Sequence, residues 1–181
     1  SAFDAIVTRD LPTDLEARPW KTIALCNVAS LDDEFLTKLS EKVKAGAGLL
    51  IFPGDKTDAA AWQRFHEAGL CPAVIVPNTA PPVPRPLVEW DGKHPALASF
   101  ATRENGDLSR IILHDRFVLT PDADASVIAS MAGKRPALVT KLQGKGRVVL
   151  FANPADRDWT DFPGERLYLP LLAGMMVTIR H

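Results

Sequence analysis

Few groups in this sequence could carry covalent chemistry. Two cysteines, Cys26 and Cys71, and four histidines, His66, His94, His114 and His181, are the only thiols and imidazoles in 181 residues. A thiol nucleophile needs a sharp, exposed turn and a base within reach. Cys26 closes an apolar run and is followed by Asn27-Val28, with no glycine to make such a turn. It reads as a packed core thiol. Cys71 sits in a loop between Leu70 and Pro72, and neither cysteine has metal-ligand spacing. A disulfide between them stays open beside the packed-thiol reading, so the redox compartment is undecided. His66 stands among Arg64 and Glu67 on a helix and reads as solvated. His94 precedes Pro95 and reads as a turn-former, His114 follows Ile112-Leu113 as a pocket or surface residue, and His181 is terminal.

The better candidates are polar groups that share one end of a sheet. In open α/β sheets ligands gather at the carboxyl ends of parallel strands. Those ends hold Asn27, Gly54 with Asp55, and Asn153 with Asp156, Arg157 and Asp158. Asp55, Asp156 and Asp158 could hold a hard cation through oxygen. The plainer reading, which we favour, is that Asp156 and Asp158 cap turns, Arg157 pairs with a carboxylate and Trp159 anchors the loop. No metal or cofactor is expected. Gly144-Lys145-Gly146 is too short for a phosphate loop and reads as a hairpin turn.

The elements that must position these groups begin with Thr22 to Asp55, which reads strand, helix, strand. Thr22 to Cys26 is a short apolar run. Ser30 can cap a helix whose first turn holds Asp32, Asp33 and Glu34, where the dipole favours carboxylates. Leu31, Phe35, Leu39 and Val43 form one apolar stripe, and Gly46 is a natural left-handed stop. Gly48 to Phe52 is a second buried strand, followed by Pro53-Gly54-Asp55. Such a βαβ unit makes its two strands parallel, with a right-handed crossover.

Phe3 to Val7 reads as a strand before this unit. After it, Asp58 caps a second helix, Ala59 to Ala68, with Trp62 and Phe65 on its buried face and Gly69 at its end. The proline-rich stretch from Cys71 to Pro86 is expected to be an extended surface crossing, neither helix nor central strand. Leu87 to Trp90 is a short strand. Arg110 to Leu119, Ala125 to Met131, Pro136 to Leu142 and Arg147 to Ala152 are β-rich runs, and the last three are joined by hairpin-length separators. Arg147 to Phe151 is apolar enough to return into the main sheet. A helix from Tyr168 to Ile179 tolerates Pro170 in its first turn.

Hydrophobic residues make up 46% and charged residues 24%, ordinary for a globular domain. The net charge of -1 argues against nucleic acid or an anionic membrane as the main partner. No apolar run reaches the roughly 18 residues of a membrane helix, so the fragment itself does not insert.

The order of these pieces resembles the class I glutamine-amidotransferase-like domain. It is carried by Leu25-Cys26-Asn27-Val28, Ala47 to Phe52, Gly54-Asp55, His94-Pro95-Ala96-Leu97, Pro136 to Val139, Gly144 to Phe151, Asp156 to Thr160 and Pro170-Leu171-Leu172. More narrowly it is similar to the version in BatA-type bacterial membrane proteins, with an N-terminal double-transmembrane segment and often a von Willebrand factor A-type domain. The resemblance implies an α/β fold: a flavodoxin-like three-layer sandwich with a mainly parallel sheet and antiparallel β-hairpin additions in the second half. It implies one domain over 1–181, excised from a larger protein and lying outside the membrane, with the periplasmic side favoured. It also implies that one strand and helix before Phe3 are missing, which would leave an exposed sheet edge.

Active members of that family use a cysteine on a glycine-flanked turn, a histidine followed by proline, and an acidic residue. Here the comparable turn is Phe52-Pro53-Gly54-Asp55, and the histidine's place reads Ala152-Asn153-Pro154. Pro53 offers no thiol, and Asn153 has no basic nitrogen. The expectation is a non-catalytic interaction or sensing domain that contacts other domains or a protein partner. The alternatives are a hydrolase or amidotransferase built on Asp55, Asn153 and Asp156, and a small-ligand module, for instance for sugars, by fold analogy alone.

Overall fold

The structure, a computed structural model, describes residues 15, 19–56, 58–102, 106–114, 117–155 and 160–179. The expected strand Phe3–Val7 lies outside them, as does the site segment Asp156, Arg157, Asp158 and Trp159.

The βαβ unit forms as its sequence dictates. Strand β1 (Thr22–Cys26) pairs in parallel with β2 (Gly48–Phe52), and helix α1 (Asp33–Ala45) crosses between them. The N-cap is Asp32, not Ser30: its Oδ1 accepts from Phe35 N at 2.7 Å. Phe35, Leu36, Leu39 and Val43 are buried, and Gly46 ends the helix at φ 128°. Every residue of β2 is buried, so the strand is covered on both faces. Helix α2 (Ala59–Glu67) is capped by Asp58, which accepts from Ala61 N at 2.7 Å, and buries Trp62 and Phe65.

Beyond α2 the chain departs from the flavodoxin-like expectation. The strands are β3 (Ala73–Pro77), β4 (Pro84–Trp90), β5 (Ile112–His114), β6 (Phe117–Pro121), β7 (Ser126–Met131), β8 (Arg135–Gln143) and β9 (Gly146–Phe151). Among the described residues, seven strands form one mixed sheet in the order β1-β2-β9-β8-β7-β4-β5, while β3 and β6 pair separately as an antiparallel ribbon. Within it β1–β2 and β2–β9 are parallel, and β9–β8, β8–β7, β7–β4 and β4–β5 are antiparallel. The mainly parallel, flavodoxin-like sheet is therefore corrected to a mixed and mostly antiparallel one. The reason lies in the connections: parallel neighbours need a long crossover, and the short turns at Ala132-Gly133-Lys134 and Gly144-Lys145 allow only reversal. The antiparallel pairing of β7, β8 and β9, and the return of β9 beside β2, follow the sequence reading.

Two further expectations change. The proline-rich stretch supplies all of β3 and the start of β4, and β4 lies inside the sheet between β7 and β5. The prolines fit because β4 is staggered. Pro84 to Pro86 pair with β5, whereas Leu87 to Trp90 pair with β7, so no proline is asked for an N–H on both sides. The run Arg110 to Leu119 divides between two sheets, with β5 in one and β6 in the other.

Helix α3 (Tyr168–Thr178) closes the described chain, with Pro170 in its first turn. Thr22 Oγ1 donates to Met176 O at 3.2 Å, tying α3 to β1. Leu171, Met175 and Ile179 join a contiguous core with β2, β8, β9 and the 3-10 turn Pro95–Phe100.

Candidate functional site

Parallel pairing of β1, β2 and β9 brings their carboxyl ends to one edge of the sheet. Phe52 and Phe151 end neighbouring strands there and stack, with ring centroids 4.3 Å apart. Asn27, Gly54, Asp55 and Asn153 follow directly, so the fold gathers these four candidates at the edge where sequence placed them.

Their side chains hold the chain to itself. Asn27 adopts the left-handed region, φ 50°, which asparagine tolerates better than most residues. Its N–H donates to Phe52 O at 2.9 Å. Its Nδ2 donates to Asp55 Oδ1 at 2.9 Å, and its Oδ1 accepts from Lys56 N at 3.0 Å. The carboxamide thus staples the end of β1 to the turn after β2. Gly54 makes room for it: a Cβ there would collide with Asn27 Cγ and Oδ1.

Asn153 is 3% exposed, and its Nδ2 donates to His114 O at 2.8 Å. Thr160 adds a parallel tie, its Oγ1 donating to Ile112 O at 2.9 Å. The two side chains fasten the segment after β9 to the outer strand β5. Asn153 is thus a buried amide whose Nδ2 holds a backbone carbonyl of β5.

Of the thiols, Cys71 stands apart from this edge, whereas Cys26 ends β1 beside Asn27. Both are free. Cys71 is buried, and its Sγ donates to Ala73 O at 3.1 Å. Burial pushes its thiol up to about 12, only partly offset by that bond, so it is neutral and inert at physiological pH. Cys26 is exposed, which corrects the expectation of a packed thiol. The reason is position: among the described residues β1 is the outer strand of the sheet, and its residues alternate in and out.

Sequence reasoning missed one polar cluster. His66 is not simply solvated: its Nε2 lies 2.7 Å from Asp122 Oδ1. Asp122 Oδ2 accepts from Lys141 Nζ at 3.0 Å, and Lys141 also meets Asp124 Oδ1 at 2.9 Å. Burial opposes the charge on Asp122, but the hydrogen bonds from His66 and Lys141 outweigh it and hold its carboxyl below the usual range. The bond to Asp124, against the cost of burial, leads the raising of Lys141. The cluster ties α2 to the β6–β7 turn and to β8. Partners so far apart in sequence leave no local signal. His94 behaves as expected of a turn residue, its Nδ1 accepting from Ala96 N at 3.3 Å. Burial, aided by Arg147 and opposed by Asp91, lowers its pKa.

Among the described residues no group of three or more His, Cys, Asp or Glu side chains is placed to hold a metal. An open groove of about 430 Å³ runs between α1 and α2, and none of its lining residues is a candidate from the strand ends. Its Arg64 pairs with its Asp33. Exposed apolar side chains lie elsewhere: Val74, Val76 and Val118 on the outward face of the β3–β6 ribbon, and Leu169 and Val177 on α3.

No family model matches the sequence, and no curated protein does. Solved structures do match in fold. The cytoplasmic protein STM1381 of Salmonella typhimurium LT2 aligns at TM-score 0.70 and 18% identity, over 94% of this chain and 77% of its own. The cytoplasmic protein STM3548 of Salmonella typhimurium aligns at 0.65 and 16%, over 96% and 77%. A GMP synthase subunit from Thermoplasma acidophilum aligns at 0.54 and 11%, over 92% and 75%. The chain thus has a glutamine-amidotransferase-like fold. The expected place outside the membrane on the periplasmic side of a membrane protein is corrected. Both Salmonella proteins are cytoplasmic, and among the described residues no helix is long and apolar enough to cross a membrane.

Proposed function

We propose that this chain is a non-catalytic domain of glutamine-amidotransferase-like fold, working by contact with another domain or a protein partner. The observation that carries this reading is Asn153, a buried amide spent on the His114 carbonyl at the corner where the fold's enzymes need a base. Pro53 in the neighbouring turn supplies no nucleophile, and Asp55 is engaged by Asn27. The exposed valines of the ribbon and the exposed Leu169 agree with a protein that acts through its surface. The finer kinship with the BatA-type version rests on the order of sequence pieces and adds no residue role.

The test is turnover. Purified protein is incubated with glutamine, and separately with p-nitrophenyl esters, and released ammonia or nitrophenol is followed. No release above buffer is expected. An activity that disappears in Asp55→Ala would overturn the proposal. Asn153→His is expected to lower stability without creating activity, because the larger ring must fit a site in which Asn153 is already buried.

A further inference from the structure

We draw no further inference here: the strongest candidate, the outward face of the β3–β6 ribbon where Val74, Val76 and Val118 stand exposed, is an unpartnered apolar face, and nothing in the structure shows what covers it.

Discussion

Gly54 has no room for a side chain, because the Asn27 carboxamide occupies the space a Cβ would take. Gly54→Ala must therefore push Asn27 away from Asp55 and Lys56, breaking the staple at the end of β1. A loss of about 1–3 kcal/mol is expected, the usual range for forced overpacking, and urea unfolding monitored by circular dichroism measures it. An unchanged midpoint would mean that the turn yields freely. The two thiols give a second expectation at this scale. Ellman's reagent should titrate one thiol, Cys26, in the native protein and reach Cys71 only on unfolding. A fast reaction that survives Cys26→Ser would contradict the burial of Cys71. Alkali gives the sign of the coupling: the Cys71 thiol ionises more readily in the unfolded chain. The stability it confers is whole below 9.0 and is lost as pH rises toward about 12. At this scale only residue type is legible in sequence: Pro53 carries no thiol and Asn153 no imidazole. The sequence could not tell that Cys26 faces out, because an apolar run does not say whether its strand lies at an edge.

Elements are joined by groups that no local pattern announces. Asp122 follows Thr120-Pro121 and reads as an ordinary turn residue, yet it bridges α2 and β8 through His66 and Lys141. Its lowered pKa means that its charge stabilises the fold above the unfolded value of 3.8, and that this contribution is lost as pH falls through the lower folded value. Lys141, raised above 10.5, acts in the opposite sense and loses its contribution only as pH rises beyond that value. Between those limits Asp122→Asn should melt below the wild type. The gap should close in acid below 3.8, as thermal scans across pH would show. A gap constant through the acid range would mean that shape, not charge, is what the cluster uses. The β8–β9 hairpin shows the reverse case, legible in kind but not in role. Gly144-Lys145-Gly146 is the tight turn its composition suggests. It also docks on the end of α1: Lys145 N donates to Lys44 O at 2.9 Å, and a Cβ on Gly146 would collide with Val43 O. The turn chemistry was readable from three residues, whereas the helix it caps lies far earlier in the chain.

At the scale of the whole molecule, β9 is the strand on which the two halves depend. It pairs in parallel with β2 of the βαβ unit and antiparallel with β8 of the hairpin half. Its continuous apolar run made its return to the main sheet legible. The overall sheet type was not, because pairing direction is set by connection lengths and by which strands meet across long separations. The staggered β4, which admits two prolines to an interior strand, is a property of register that composition does not encode. Leu150, fully buried in β9 and paired on both sides, tests whether the halves fold together. Leu150→Ala should cost about 2–5 kcal/mol, the range for leucine truncation in a packed core. If the contiguous core makes one cooperative unit, far-ultraviolet circular dichroism and tryptophan fluorescence will fall along one shared curve, shifted as a whole in the variant. Curves that separate, with the βαβ unit surviving while the hairpin half melts, would show that the parallel β2–β9 pairing joins two units of independent stability.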